Sequence, residues 1–263
     1  MGKYWGPPVN HPISIEKAKE LLAGNLGDVY RQILFGCCVP IYWFSLDKEN
    51  PTILHNGTVT LLETPQRIIG VTASHVLDCY KNDHKEQKVR LQLMNEAVDN
   101  LLDRLIDNSD RLDIATFDID ERIISNIGKN VSPLKNWPPQ PPQEGRGIML
   151  AGYPACDRFE PRKLCANFGL FTALGIARVV SDEQITWAID QEFLISSKRV
   201  NPLPPNHDLG GISGGPLISW FETPNYISYY KLSGIISQAN RTLENVIARR
   251  ADFINDDGTI TLK

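Results

Sequence analysis

Five prolines crowd residues 132–145, namely Pro133, Pro138, Pro139, Pro141 and Pro142. A stretch built this way can enter neither a helix interior nor a central strand, so it predicts an extended connector and a seam between two folded halves. Upstream, apolar and β-branched runs at 38–44, 58–62, 67–72, 89–93 and 114–119 alternate with turn-forming residues. Downstream the rhythm returns at 148–153, 169–172, 176–180, 185–189, 216–220, 226–230 and 232–237. Runs of this length and spacing predict the strands of β-barrels or sandwiches. Two segments break the rhythm. Residues 14–23 carry half of a capping box at Ser14 and place Ala18, Leu21 and Leu22 on one face, which predicts a short amphipathic helix packed across a barrel. Residues 241–254 hold Leu243, Val246, Ile247 and Ala251 at helical spacing and predict a C-terminal helix.

Composition narrows the function classes. With 263 residues, 42% of them hydrophobic, the chain can bury a large core, as one large domain or as two small barrels sharing an interface. Lys plus Arg number 27 against 31 Asp plus Glu, and the net charge of −4 gives no electrostatic reason to expect nucleic acid or an anionic membrane as partner. Met1 to Pro8 lacks the basic-then-apolar layout of a signal peptide, and no window approaches 18 uninterrupted apolar residues, so a soluble, cytoplasmic protein is expected. Cys37, Cys38, Cys79, Cys156 and Cys165 are odd in number and lack the paired spacing of a zinc site; reduced, buried thiols are the expectation. In a reducing compartment the Asn-x-Ser/Thr sites at Asn56, Asn130 and Asn240 go unglycosylated. No histidine and carboxylate cluster has ligand spacing, so neither metal nor cofactor is expected.

The chemistry concentrates in three segments. Gly211-Ile212-Ser213-Gly214-Gly215-Pro216 surrounds a serine with turn-forming residues, while Thr72-Ala73-Ser74-His75 and Asp113-Ile114-Ala115 supply a histidine and an aspartate. A serine hydroxyl is a poor nucleophile at neutral pH; it needs a base within hydrogen-bond reach and a third group to orient that base. All three types are present in the order His, Asp, Ser, with Asp113 38 positions after His75 and Ser213 100 positions after Asp113.

These segments resemble those of the chymotrypsin-like (trypsin superfamily) serine peptidases, which read T-A-[AS]-H, D-[IL]-A and G-[DN]-S-G-G-P, and the resemblance spans residues 33 to 240, as in intracellular bacterial members. It implies an all-β fold of two Greek-key, six-stranded barrels with short N-terminal and C-terminal helices. The divisions it implies are a helical extension (1–32), a first barrel with His75 and Asp113 (33–131), the connector (132–145), a second barrel with Ser213 (146–240), and a helix with tail (241–263). Residues 97–106 are helical by periodicity, whereas the resemblance places barrel strands there.

The implied activity is endopeptidase. Ser213 attacks, His75 transfers the proton, Asp113 orients His75, and the N–H groups of Gly211 and Ser213 form an oxyanion hole. Asp110 and Asp118 compete with Asp113 for its role, and Asp113 is preferred because Ile114-Ala115 follows it. Ser237 is the hydroxyl expected beneath the aspartate, Gln238 and Ala239 the edge on which substrate backbone adds, and Ala239 points to a shallow specificity pocket. His207, with Asp208 beside it, falls at the pocket base, where either could touch the substrate side chain. Ile212 stands where zymogen-activated members have an aspartate, so no ion pair with a newly cut N-terminus is expected; gating by a regulatory protein partner or by the loop at 202–205 remains open. A polypeptide substrate is the expected partner. The alternatives are a non-catalytic binding or scaffold protein on the same fold, and an acyl esterase.

Overall fold

The strand Cys38–Ser45 (β1) is buried at every position, which requires cover on both faces of its sheet. Val39, Ile41 and Trp43 point into one apolar cluster with Val59, Leu61, Leu91, Leu93 and Phe117. On the opposite face Tyr42 and Phe44 pack with Ala166. The computed structural model describes residues 15–46, 51–129, 131, 134, 136–188, 208–225, 228–240 and 245–262.

Two helices, α1 (Ile15–Ala23) and α2 (Asn25–Cys37), lead into β1. The first sheet then collects β2 (Ile53–Glu63), β3 (Ile68–Thr72), β4 (Val89–Leu93), β5 (Glu96–Ala97), β6 (Leu105–Ser109) and β7 (Ile114–Asp118) in the order β5-β4-β1-β2-β3-β7-β6. Helix α3 (Ser74–Glu86) follows β3, and α4 (Glu121–Asn126) follows β7. The second sheet holds β8 (Gly147–Gly152), β11 (Phe171–Ile176), β12 (Val179–Val180), β13 (Gln184–Ala188), β14 (Pro216–Glu222), β15 (Ser228–Asn240) and β16 (Asn245–Arg250), ordered β11-β8-β14-β15-β16-β13-β12. A separate hairpin, β9 (Arg158–Arg162) and β10 (Cys165–Phe168), covers the outer face of β1.

All pairings among the described residues are antiparallel. When the two-residue strands β5 and β12 are set aside, each sheet has six strands among the described residues and both follow one cyclic order: first, second, third, sixth, fifth, fourth. The ladder is interrupted between the fourth and fifth strands in one sheet and between the second and third in the other. This is the doubled Greek key of an all-β, chymotrypsin-like fold. Between the sheets lies a shared core to which both contribute, including Leu62, Ile69, Val71 and Ile114 from the first and Met149, Ala151, Ile218 and Ile235 from the second.

Several expectations are corrected. Among the described residues each sheet has seven strands, because β5 and β12 extend the two sixes. The N-terminal helical part runs through α2 to Cys37, so the first barrel begins at Cys38 and not at residue 33. The C-terminal helix is absent among the described residues: Asn245–Arg250 is strand β16, paired with both β13 and β15, and only Ala251–Phe253 turns helically. Val246 and Ala248 point inward at period two, and the gap between β13 and β15 fixes a strand where side-chain spacing alone also fits a helix. Residues 97–106 divide between the end of β5, a short 3-10 turn and the start of β6. Residues 228–230 and the expected strand at 232–237 belong to the single strand β15, while 226 and 227 lie outside the described residues. Of the cysteines, only Cys37 and Cys38 are buried; Cys79 and Cys165 are half-buried, and exposed Cys156 contacts the Asp208 carbonyl oxygen through Sγ at 2.9 Å. Among the described residues, no helix is long and apolar enough to cross a membrane, and no side-chain cluster could hold a metal ion.

Candidate active site

His75 occupies the second position of α3, directly after β3. Ala73 at the N-cap offers no side-chain acceptor, and a helix start leaves N–H groups unsatisfied. Asp113 supplies what is missing from another part of the chain: its Oδ1 accepts the His75 backbone N–H at 3.0 Å. The same carboxylate approaches His75 Nδ1 with both oxygens at 3.0 Å, so one group fixes the helix end and orients the ring. Asp113 stands in the turn between β6 and β7 with φ +49°, a left-handed conformation that aspartate tolerates better than most residues.

Ser237, on β15 of the other sheet, donates its hydroxyl to Asp113 Oδ2 at 2.5 Å. Burial pushes the Asp113 carboxyl up, but the bonds from His75 and Ser237 outweigh it and hold the pKa below 3.8. The His75 imidazole shifts the other way. Its bond to Asp113 outweighs burial and, with the charges of Asp113 and Asp78, raises its pKa above 6.5.

Ser213 lies on the loop before β14, and that loop is stitched to both sheets. Its carbonyl accepts the Thr58 N–H at 2.8 Å, and Thr58 Oγ1 donates to the Gly211 carbonyl at 2.9 Å while accepting the Tyr153 N–H at 3.0 Å. Thr60 Oγ1 donates to the Gly214 carbonyl at 2.8 Å, and the Gly214 N–H reaches the Ile236 carbonyl at 2.7 Å. Gly211 has φ +103°, and a Cβ there would sit 2.3 Å from Asn56 Nδ2 and 2.7 Å from the Tyr153 carbonyl oxygen. Only glycine fits. Ile212 is buried in an apolar cluster of the second sheet with Ile148, Leu150 and Leu217, against Gly152. The N–H groups of Gly211 and Ser213 meet no acceptor among the described residues.

A cavity of about 270 Å³ brings these parts together, lined by His75, Asp113, Leu209, Gly210, Ser213, Ser237, Gln238 and Ala239. The Ser213 hydroxyl donates to the Ser237 carbonyl oxygen at 3.1 Å and not to His75, so it must turn before the two can exchange a proton. The cavity therefore collects a hydroxyl, an imidazole and an orienting carboxylate, the groups needed to move a proton from an attacking oxygen to a leaving group.

Of the residues singled out from the sequence, His75, Asp113, Ser213, Ser237, Gln238 and Ala239 line this cavity, and Gly211 adjoins it. His207 and the loop at 202–205 lie outside the described residues. Exposed Asp208 turns Oδ1 back onto the Gly210 N–H at 2.8 Å. The competing carboxylates go elsewhere: Asp110 bonds Ser74, and Asp118 lies 3.8 Å from Arg67. Sequence reading passed over Thr58 and Thr60, the anchors of the serine loop. They lie in the run 58–62, and only their pairing across the seam reveals their role.

The strand order and the position of this cavity, between the two sheets, define the class as chymotrypsin-like in fold. No protein-family model matches the chain. No curated protein matches it either. Among solved structures, the crystal structure of Deg5 is similar over 92% of each chain, with 12% identity and a TM-score of 0.48.

Proposed function

We propose that the protein is a serine endopeptidase. The observation that carries this reading is the bond of both Asp113 oxygens to His75 Nδ1, in the cavity that also holds Ser213. Asp113 selects the tautomer with the proton on Nδ1, leaving Nε2 free as a base toward the cavity. When the Ser213 hydroxyl turns from the Ser237 carbonyl, its proton passes to Nε2 and its oxygen bonds to the substrate carbonyl carbon. The Gly211 and Ser213 N–H groups receive the resulting oxyanion. Collapse breaks the peptide bond, the imidazolium returns the proton to the leaving amine, and water then hydrolyses the acyl-enzyme by the same path. Burial of Ile212 supports a site that forms without an N-terminal ion pair.

The test is digestion of a mixed-sequence peptide library with new termini read by mass spectrometry, comparing the native protein with Ser213→Ala. Cleavage that disappears in the variant is the expected result. An uncut library with hydrolysis of small activated esters would replace the peptidase by an acyl esterase. Failure of both in folded protein would favour a binding scaffold.

A further inference from the structure

We propose that Ser74 is a positioning residue for the His75–Asp113 pair, holding the turn that carries Asp113 through a hydrogen-bonded triangle with Asn108 and Asp110. The inference rests on the peptidase reading and concerns how its base is oriented. Ser74 is the first residue of α3, only 2% exposed, and its hydroxyl lies 2.8 Å from Asn108 Oδ1 and 2.9 Å from Asp110 Oδ1. Asn108 Nδ2 closes the triangle by donating to Asp110 Oδ1 at 2.9 Å. Asn108 lies in the last two residues of β6, and Asp110 opens the turn whose last residue is Asp113, with the Asp113 N–H on the Asp110 carbonyl at 3.3 Å.

The first turn of α3 thus grips the β6–β7 turn at two points. His75 N–H holds the Asp113 carboxylate, and Ser74 holds the start of the same turn. A single grip leaves a pivot, and a left-handed aspartate persists only where its surroundings over-determine it. Ser74 supplies the second constraint from the residue next to the base, so the helix end, the ring and the carboxylate move as one body. Asp113 is bonded by Ser237 as well, but that bond, like the one from the His75 N–H, reaches only the carboxylate, whereas Ser74 reaches Asn108 and Asp110 where the turn begins.

The experiment follows the His75 imidazole by NMR titration and, in parallel, the rate at which a fluorophosphonate labels Ser213, in native protein and Ser74→Ala. The variant is expected to titrate at lower pH than the native protein, because the bond to Asp113 weakens. It is also expected to label about fivefold more slowly, the scale of one lost hydrogen bond. Asp110→Asn, which keeps the acceptor oxygen, should behave as native. The Asn108→Ala, Asp110→Ala double variant, changed away from the buried helix end, should reproduce Ser74→Ala and serves in its place if that variant does not fold. A folded Ser74→Ala with native titration and native labelling rate overturns the proposal while leaving the peptidase reading intact. A displaced His75 titration in a protein whose Ser213 never labels would uphold the positioning role and sink the peptidase.

Discussion

At the scale of single residues, the account turns on two pKa shifts of opposite sign. The His75 value is raised by its bond to Asp113, and the Asp113 value is lowered because bonds from His75 and Ser237 outweigh burial. A base must be neutral to accept a proton, so kcat/KM should rise with pH through the His75 value and reach half-maximum above 6.5. Asp113→Asn should move this limb to lower pH and cut kcat by about 10⁴-fold, since an amide neither stabilises the imidazolium nor enforces the tautomer. A pH–rate profile of both proteins checks this; an acid limb unmoved by the substitution would separate Asp113 from the base. The same shifts act on stability. A raised histidine value adds stability that is complete below the unfolded value, near 6.5, and lost as pH climbs through the folded one. The lowered Asp113 value adds stability present above 3.8 and lost as pH falls through its folded value. The pair is thus strongest between these limits, where both are charged, whereas the reaction needs the imidazole neutral above them.

At the scale of elements, legibility followed how local the determining forces are. β4 was readable to the residue, because Val89–Leu93 alternates between turn signals. The three segments that meet in the candidate site stood out because their local composition is unusual, such as the glycines around Ser213. Helix α3 was not readable, although Val76, Leu77 and Tyr80 form its buried face, since the run to His75 reads as a strand end. The β9–β10 hairpin was invisible: Phe159 is exposed, and its inward surface is defined only by Tyr42 and Phe44 on a distant strand. β16 is the sharpest case, because helical spacing puts Ala248 off the apolar face while strand pairing buries it fully. Ala248→Glu should therefore cost about 3 kcal/mol or more, the scale of an unpaired buried charge, and lower the melting temperature by several degrees. A melting temperature unchanged in that variant would contradict the strand.

At the scale of the whole molecule, the candidate site is a property of the seam. The first sheet brings His75 and Asp113, the second brings Ser213 and Ser237, and Thr58 and Thr60 bond the serine loop across the gap. Which faces of the two sheets meet was not legible, because the shared core mixes residues from both halves. The doubled strand order was reached only through the resemblance carried by the three short segments, since the two halves share topology without visible repetition in their letters. A nucleophile assembled this way should be activated only in the folded, docked molecule. The most direct measurement is labelling with a fluorophosphonate across a urea titration, with mass mapping of the modified residue and with His75→Ala as control. The account predicts modification of Ser213 alone, lost in the control and lost in step with global unfolding. A folded native protein that leaves Ser213 unmodified, or one labelled equally without His75, would contradict it.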